Sequence, residues 1–370
     1  MRRQSHMRIV LAGDVMTGRG IDQVLPNPGD PQIVESYMRS AAGYVMLAED
    51  HSGRIPAPVS FDYVWGDTLT AMAARQPDCR LINLETAVTR SDDAWPWKGI
   101  NYRMHPGNIP ALTAAGVDIC SLANNHVLDW GYAGLVETLD SLQGAGLSAV
   151  GAGVNKHAAE SPAIKRIGSN RLLVFAVGHP SSGIPADWAA TDDKAGVNFI
   201  ADLSAETAQV LARQWHGLRQ PGDLVVVSIH WGGNWGYHIK RGKRAFARHL
   251  IDAGADLVYG HSSHHPMGIE VYRERAILYG CGDLINDYEG IRGHEAYRSY
   301  LRLLYCADLD PDSGALRRLE LIPFEMRRFR LQRPADSDRD WLLGVLDREC
   351  RRLGAALQLP GDGESFLLRW

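Results

Sequence analysis

The sequence lacks a long apolar stretch and a strong excess of charge of either sign. A membrane-spanning helix needs a run of roughly 18 apolar residues, and none occurs in these 370 residues. The formal net charge of -4 gives no general reason to expect nucleic acid or an anionic membrane as a partner. The first residues, MRRQSHMRIV, also lack the apolar core of a signal peptide. We therefore predict a soluble cytoplasmic protein with no nucleic-acid partner and no integral membrane segment.

Cysteine is scarce and irregularly spaced. The five cysteines contain no CxxC pair, and an odd number cannot close into a full disulfide set, which favours a reducing compartment. Cys120 and Cys281 lie in apolar runs, so we interpret them as core residues rather than nucleophiles. Internal repeats and low-complexity tracts are absent as well. The 45% of hydrophobic residues is ample for the core of a globular protein.

The stretch from Val117 to Leu142 reads as a buried strand, a polar turn and an amphipathic helix. VDICSLA is a short apolar run typical of a covered sheet, and leucines recur at helical spacing after the turn. The polar residues of the turn are Asn124, Asn125, His126 and Asp129. In open α/β sheets ligands bind at the carboxyl ends of strands, which favours a functional turn. The alternative is a structural turn in which Asp129 caps the helix.

Other apolar segments also end in side chains that can bind metal. The strands RIVLAGDV and CRLINLETAV deliver the carboxylates Asp14 and Glu85 near their ends. DLVVVSIH ends in His230, which taken alone is more simply a core histidine. The strand DLVYG is followed by three histidines in five residues, namely His261, His264 and His265. Imidazole suits zinc, iron, nickel and copper, and carboxylates add manganese to the candidates.

Together these strand ends predict a site for two divalent metal ions. The six candidate ligands are Asp14, Glu85, Asn125, His230, His261 and His264. Mixed carboxylate, amide and imidazole ligands with one bridging carboxylate suit such a site, with manganese, iron or zinc as the ions. His126 would then transfer a proton or stabilise charge in the transition state, with Asp129 supporting it. The alternative is that all six are independent structural residues.

A loop before the central stretch carries residues suited to substrate binding. SDDAWPWKGINYRMHPGNIP places two tryptophans near Lys98 and Arg103, a composition that suits an anionic or peptide-like substrate. Arg19, in the loop after Asp14, is a candidate for holding a substrate carboxylate, or it pairs with a nearby aspartate. We also assign Asn124 to substrate binding. Alternatively, the tryptophans merely cover the core.

The order of the segments predicts an α/β fold. Apolar strands alternate with helical patterns through most of the chain, and residues 300–330 alternate apolar and charged side chains like half-exposed antiparallel strands. We predict one domain over residues 7–332 with an insertion around 26–66. Residues 333–370 form a C-terminal helical extension in this prediction, with a helix over 336–357 and a polar tail.

The same residues carry a family resemblance. It rests on GDVMTGR (13–19), NLE (83–85), SLANNHVLDWG (121–131), HWG (230–232), GADLVYGHSSHHP (254–266) and ILYGCGD (277–283). This ordered set resembles the bacterial capsule-synthesis protein family typified by the poly-γ-glutamate synthesis protein CapA. The resemblance extends from about Met7 to Tyr288, and ANNH followed by Asp-x-Gly is its specific signal. It implies a fold similar to calcineurin-like metallophosphoesterases, an α/β sandwich of mixed sheets flanked by helices.

The resemblance also implies roles for individual residues. Asp14 is similar to the first-strand aspartate ligand, Glu85 stands in the place of the bridging aspartate, and Asn125 with His126 matches the family's Asn-His pair. The later histidine ligands correspond to His230, His261 and His264.

Three positions depart from the metallophosphoesterase pattern. Met16 stands where a histidine is expected two residues after the first aspartate. The final histidines are spaced His-x-x-His, which leaves His265 as an alternative to His264. The usual Gly-Asn-Phe reads Gly282-Asp283-Leu284, so no role is assigned to that position.

The resemblance implies a metal-dependent hydrolase that acts on a peptide-like or γ-glutamyl substrate in capsule or poly-γ-glutamate synthesis. One alternative is a peptide epimerase, in which the metals polarise a carbonyl and His126 moves a proton at the adjacent carbon. Another is a non-catalytic accessory protein that binds the polymer. Capsule or peptide-modification machinery is the expected partner. A phosphoesterase follows from the fold alone, and fold does not determine substrate.

Overall fold

The computed structural model describes residues 6–361 and 363–370, and its α/β fold confirms the predicted class. In chain order the strands are β1 (Met7–Val15), β2 (Cys79–Leu84), β3 (Ala87–Val88), β4 (Arg103–Met104), β5 (Ile119–Ser121), β6 (Ser148–Val150), β7 (Ala152–Gly153), β8 (Ala163–Ile167), β9 (Asn170–Gly178), β10 (Gly196–Val197), β11 (Asp223–His230), β12 (Leu257–His261), β13 (Ile269–Tyr272), β14 (Arg275–Leu278), β15 (Asp283–Ile285), β16 (Leu301–Leu309), β17 (Leu316–Arg327), β18 (Arg330–Gln332), β19 (Ala356–Gln358) and β20 (Phe366–Arg369). The helices are α1 (Gly20–Val24), α2 (Ala42–Ser52), α3 (Asp67–Arg75), α4 (Pro110–Ala114), α5 (Gly131–Gly144), α6 (Lys156–Glu160), α7 (Ala205–His216), α8 (Arg241–Asp252) and α9 (Asp336–Arg351).

Most of the strands form two mixed sheets. The larger sheet has the order β19-β20-β17-β16-β1-β2-β5-β6, with β15 beside β1 and β18 beside β17. The smaller sheet has the order β13-β14-β12-β11-β9-β8. In the larger sheet β1, β2, β5 and β6 are parallel, whereas β16 is antiparallel to β1 and to β17. In the smaller sheet β9, β11, β12 and β14 are parallel.

The two sheets pack face to face and helices cover their outer faces. One buried apolar cluster joins Leu11 and Leu81 of the larger sheet to Val226 and Tyr259 of the smaller sheet. Leucines of α5 pack on the outer face of the larger sheet, and those of α7 and α8 pack on the smaller one. This arrangement confirms the predicted sandwich of mixed sheets flanked by helices. Cys120 and Cys281 are fully buried, as predicted for core residues.

Strand register brings the polar strand ends together. In the larger sheet Asp14 is the partner of Asn83 on one side and of Asp283 on the other. In the smaller sheet His230 is the register partner of His261. Four of these residues lie at the carboxyl ends of buried apolar strands, whereas Asp283 is the first residue of β15. The edges of the two sheets therefore supply one common group of polar side chains.

The C-terminal segment differs from the predicted helical extension. The helix α9 ends at Arg351 rather than near residue 357, so β19 replaces the end of the predicted helix and β20 lies in the predicted polar tail. Leu367 of β20 pairs with Glu320 of β17, which makes this segment part of the larger sheet. The physical reason is that Phe366 and Leu368 are buried in the apolar cluster between the sheets. Within the described ranges the helices are too short or too polar to cross a membrane.

Candidate metal centre

Two groups of side chains that could each hold a metal ion lie where the sheets meet. The first group is Asp14, His230 and His261, and the second is Asp14, His264 and Asp283. Within each group the potential ligand atoms all lie within 4.8 Å of one another. Asp14 belongs to both groups, so its carboxylate could bridge two ions. Four of these five residues were predicted ligands, and the structure brings them together.

Hydrogen bonds determine which nitrogen of each histidine is available as a ligand. Ser228 Oγ donates to Ser121 Oγ at 3.0 Å, which leaves the Ser228 oxygen to accept a hydrogen bond from His261 Nε2 at 2.7 Å. His230 Nε2 donates to Asn125 Oδ1 at 2.9 Å. A neutral imidazole carries one N–H, so the Nδ1 atoms of both histidines present lone pairs. These two atoms lie only 2.7 Å apart.

A divalent cation fits this pair of lone pairs. Burial lowers the pKa of His261 to about 3 and holds the pKa of His230 well below its ordinary value. Uptake of an additional proton by either ring is therefore disfavoured at neutral pH. Without a proton between them, the two facing lone pairs repel each other. Asp14 Oδ1 lies 3.9 Å from His261 Nδ1 and completes a set of two nitrogens and one oxygen. Zinc, iron and manganese accept such a donor set.

The neighbouring carboxylates also favour a cation. Burial raises the pKa of Asp14 to about 7, and burial together with the Asp14 charge raises the pKa of Glu85 well above its ordinary value. Asn83 Nδ2 donates to Asp14 Oδ1 at 2.7 Å and to Glu85 Oε2 at 3.0 Å. A single amide group cannot neutralise two buried carboxylates, whereas a divalent ion can.

Glu85 and Asn125 lie beside the two ligand groups. Glu85 Oε1 is 3.6 Å from His230 Nε2 and 3.8 Å from His126 Nε2. The amide oxygen of Asn125 faces His230 Nε2, as described above. The ligand roles of Glu85 and Asn125 therefore stay predictions, and Asp14 is the carboxylate common to both groups.

Asp283 is a site residue that the sequence reasoning did not assign. Its Oδ1 lies 3.0 Å from His264 Nδ1, and Asn286 Nδ2 donates to its Oδ2 at 2.6 Å. Burial lowers the pKa of His264, but the Asp283 charge and hydrogen bond outweigh burial and raise it. The apolar run before Asp283, in the segment ILYGCGD, was the available signal. Met16, in place of the expected histidine, is buried, and its sulfur lies 3.7 Å from the Tyr288 hydroxyl.

The structure distinguishes the two adjacent histidine candidates. His264 belongs to the second ligand group, together with Asp283. His265 has both ring nitrogens engaged, because Nε2 accepts from the Gly236 N–H at 3.0 Å and Nδ1 donates to the Pro266 carbonyl at 3.1 Å. His264 is therefore the residue available to a metal.

His126 is held as a neutral imidazole at the edge of the site. Its Nδ1 lies 2.7 Å from Asp129 Oδ2 and donates to it, while Lys98 Nζ is 2.5 Å from Asp129 Oδ1. Burial, helped by the Lys98 charge and opposed by the Asp129 charge, lowers the pKa of His126 to about 4. The Tyr102 N–H also donates to Asp129 at 2.6 Å. Asp129 thus fixes the ring with Nε2 unprotonated and directed towards the Glu85 side.

These side chains surround a cavity of about 200 Å³. Its lining includes Glu85, Lys98, Asn125, His126, His264 and Tyr288. Ligand cavities for whole small molecules usually measure roughly 300–1,000 Å³, so this one suits the reacting group of a larger substrate.

Arg19 lies outside this cavity. Its guanidinium donates two hydrogen bonds to Asp287, at 2.8 and 2.6 Å, and one to Glu35 at 2.9 Å. It also stacks on Tyr44, with 3.5 Å between the guanidinium carbon and the ring centroid. Only 2% of Arg19 is exposed, so the structure gives it a packing role and not the predicted contact with substrate.

Arg103 and Asn124 are likewise engaged by the protein. Arg103 donates to the carbonyls of Ser91 at 2.7 Å and Asp30 at 2.9 Å. Asn124 Nδ2 donates to Asn83 Oδ1 at 3.0 Å, and Asn124 Oδ1 accepts from the two backbone N–H groups at 126 and 127. The structure therefore does not bring either residue to the cavity, and of the predicted substrate-binding residues only Lys98 lines it.

The two tryptophans of the predicted rim have different positions. Trp97, beside Lys98, is fully exposed to solvent. Trp95 packs edge-on against Trp188 and Tyr132, with ring centroids 5.3 and 5.6 Å apart. The rim interpretation thus fits Trp97, and the core-covering alternative fits Trp95.

Comparison with known proteins gives consistent matches. Residues 8–288 match the family described as "Bacterial capsule synthesis protein PGA_cap". The chain is 50% identical over 348 residues to a Mycobacterium tuberculosis protein named "Probable polyglutamine synthesis accessory protein", covering 94% of this chain and 92% of that one. It is 24% identical over 290 residues to "Capsule biosynthesis protein CapA" of Bacillus anthracis, covering 77% of this chain and 61% of CapA. It is 25% identical over 283 residues to "PGA biosynthesis protein CapA" of Bacillus subtilis, covering 74% and 62%.

Proposed function

Because the chain belongs to the bacterial capsule synthesis protein family PGA_cap, we propose that it is a divalent-metal-dependent hydrolase of a peptide-like or γ-glutamyl substrate. Relatives named for capsule and polyglutamine synthesis support a role in making such a polymer, together with the synthesis machinery. The observation that carries the proposal is the pair of ligand groups that share Asp14 and adjoin His126.

The chain's own residues supply proton transfer and substrate orientation. Divalent ions, when bound, supply positive charge that polarises a carbonyl and lowers the pKa of water. His126 is neutral and has a free Nε2, so it can accept a proton in the cavity and return it to the leaving amine. Asp129 orients the ring and stabilises the imidazolium that forms, as carboxylates do in other His-Asp pairs. Lys98 adds positive charge at the cavity wall, where a substrate carboxylate or carbonyl would lie.

The test uses full-length protein stripped of metal and reloaded with manganese, zinc or iron. A short γ-glutamate oligomer is the substrate, and new amino termini are measured by mass spectrometry. We expect cleavage by the loaded protein, loss of metal and activity in His261→Ala, and loss of activity with metal retained in His126→Ala. The exposed residue His157 provides a matched control, since His157→Ala should behave like the wild type.

Two results would overturn the proposal. Deuterium uptake from solvent at a substrate α-carbon without cleavage would identify an epimerase. Oligomer binding without any reaction, and the same binding in His126→Ala, would identify a non-catalytic accessory protein.

A further inference from the structure

The hydroxyl of Tyr288 belongs to a short chain of hydrogen bonds beside the candidate metal centre. The Tyr102 hydroxyl donates to the Tyr288 hydroxyl at 2.8 Å, and the Tyr288 hydroxyl donates towards Met16 Sδ at 3.7 Å. Tyr288 lines the same cavity as His126 and His264, whereas Tyr102 is fully buried. The chain of hydrogen bonds therefore leads from the interior of the protein to the wall of the cavity.

The burial of Tyr102 determines the direction of the first hydrogen bond. Among the residues that the structure describes, Tyr288 is the only hydrogen-bond partner of the Tyr102 hydroxyl. A buried hydroxyl that donates to nothing is costly, so Tyr102 is the donor and the Tyr288 oxygen is the acceptor. The proton of the Tyr288 hydroxyl is therefore left for a second partner.

The second partner that the protein supplies is a weak one. The thioether sulfur of Met16 is a poor acceptor, and the contact is long. The hydrogen bond from Tyr102 polarises the Tyr288 hydroxyl and makes it a better donor. An oxygen that carries negative charge accepts roughly twice as strongly as a neutral acceptor. An oxyanion in the cavity would therefore replace the sulfur as the acceptor.

Ring contacts hold Tyr288 beside the groups of the proposed reaction. Its ring packs edge-on against His264, with 5.3 Å between ring centroids. The ring of Tyr102 packs edge-on against His126, with 4.4 Å between ring centroids. His264 belongs to the second ligand group, and His126 is the proton-transfer residue of the proposed function. The Tyr288 hydroxyl thus lies between the ligands and the base.

We propose that Tyr288 is a catalytic residue that donates a hydrogen bond to the oxyanion formed on the substrate carbonyl. This inference rests on the proposed function and adds to it a residue that stabilises the transition state. When water adds to the carbonyl carbon, one electron pair of the C=O bond moves to the oxygen and His126 accepts the proton of the water. Tyr288 binds that oxygen and keeps its own proton. When the carbon–nitrogen bond breaks, the C=O bond forms again and His126 gives its proton to the leaving amine.

Tyr288→Phe removes the hydroxyl and keeps the ring. With manganese-loaded full-length protein and the γ-glutamate oligomer, we expect kcat to fall by about 100-fold, as for the loss of one oxyanion donor. KM should stay within about threefold of the wild type, because the oxyanion exists only after binding. The metal content by elemental analysis should be unchanged. Tyr272→Phe, on β13 with its hydroxyl 3.4 Å from Asp252 Oδ2, is the matched control and should keep the wild-type kcat.

Inorganic phosphate gives a second readout that requires no reaction. It is a tetrahedral oxyanion, like the intermediate that forms on the carbonyl, and its binding to manganese-loaded protein is measured by isothermal titration calorimetry. We expect Tyr288→Phe to bind phosphate at least about tenfold more weakly than the wild type, because a hydrogen bond to a charged acceptor is lost. Tyr272→Phe should bind phosphate like the wild type.

The double variant Tyr102→Phe/Tyr288→Phe keeps the test valid if Tyr288→Phe does not fold. It removes both hydroxyls, so no buried donor is left without an acceptor, and it should show the same losses as Tyr288→Phe. Tyr102→Phe alone retains the Tyr288 hydroxyl and should lose less than about tenfold in kcat.

Three results would overturn the proposal. The first is a wild-type kcat or a wild-type phosphate affinity in a folded variant that lacks the Tyr288 hydroxyl. The second is loss of metal from Tyr288→Phe, which would make the hydroxyl part of the ligand set. The third is an equal loss of kcat in Tyr102→Phe and Tyr288→Phe, which would assign the effect to packing against His126.

The phosphate readout separates this proposal from the hydrolase proposal. Absence of cleavage by the wild type, with phosphate binding that still depends on the Tyr288 hydroxyl, would refute only the hydrolase. A wild type that neither cleaves the oligomer nor binds phosphate would overturn both.

Discussion

Replacing Ser228 by alanine tests the proton arrangement on which the metal site depends. The Ser228 oxygen accepts from His261 Nε2 at 2.7 Å and so keeps the His261 Nδ1 lone pair free. Without that acceptor, His261 can move its proton to Nδ1 and donate to His230 Nδ1, which lies 2.7 Å away. The first metal group then loses His261 Nδ1 as a ligand, unless metal binding returns the proton to Nε2.

We expect Ser228→Ala to weaken metal binding and to leave the stability of the metal-free protein nearly unchanged. Removing a residue that orients a metal-bound histidine typically weakens metal binding about 10–100-fold, which corresponds to about 1.4–2.7 kcal/mol. Metal-free stability should change by less than about 1 kcal/mol, because the new hydrogen bond between His230 and His261 replaces the lost one. The predicted signature of Ser228→Ala is therefore weaker binding with a nearly unchanged unfolding midpoint.

Calorimetric titration of the metal-free protein with manganese or zinc measures this effect directly. Ser169→Ala is the matched control, because this serine is exposed and its hydroxyl donates to Asn170 at 2.9 Å, away from the metal centre. It should bind metal within a few-fold of the wild type. The reasoning is refuted if Ser228→Ala binds as tightly as wild type while His261→Ala does not bind. It is also refuted if Ser169→Ala weakens binding equally.

Three further predictions follow from the same contacts. Asp283→Asn should lower the metal content from two ions to one by elemental analysis, and an unchanged content would exclude Asp283 as a ligand. Burial raises the pKa of Asp14 from its ordinary 3.8 to about 7, so only the unfolded form ionises readily between these values. Metal-free wild type should therefore lose thermal stability relative to metal-free Asp14→Asn as the pH rises from about 4 to about 7, because the buried histidines, which titrate in the opposite sense, are common to both proteins. A stability difference that does not change with pH would contradict this. Arg19→Met should lower the free energy of unfolding in urea by about 3–5 kcal/mol, because Asp287 is left buried without its partner. Arg213→Ala, at an exposed position of α7, is the control, and an equally small cost for Arg19→Met would contradict the packing role.

Strand endings were predictable because burial and polarity change abruptly there. The strand DLVVVSIH was predicted over residues 223–230 and is observed as Asp223–His230. An apolar run followed by a polar residue needs no distant information, since both signals lie in the same few residues. The last strands were missed for the opposite reason. Phe366 and Leu368 form a strand only because β17 offers an open edge and the inter-sheet core offers a place for their side chains.

The contacts of the site are also of two kinds. Some join residues close in sequence, and others depend on the pairing of distant strands. His126 and Asp129 are three residues apart, and their hydrogen bond follows from one turn of the chain. The partners of Arg19 could not be predicted, because Asp287 is 268 residues away and only the parallel pairing of β15 with β1 brings it near. Asp283 was assigned no role because it stands where the resemblance expects an asparagine. Only its pairing with Asp14, between β15 and β1, shows that it belongs to the site.

Buried acidic residues that stabilise the fold differ from those of the candidate metal site in whether the protein provides a positively charged partner. Asp287 receives a paired guanidinium from Arg19, with two hydrogen bonds of 2.8 and 2.6 Å, so its charge is compensated within the protein. Asp14 and Glu85 are equally buried, yet the hydrogen bonds they accept come from uncharged donors, namely the shared Asn83 amide and, for Asp14, the Ser262 N–H at 3.3 Å. Both have raised pKa values. A fold that can supply an arginine to one buried carboxylate could do so for its neighbours. Since leaving a buried charge uncompensated is costly, the carboxylates without a protein cation are those expected to receive one from solution.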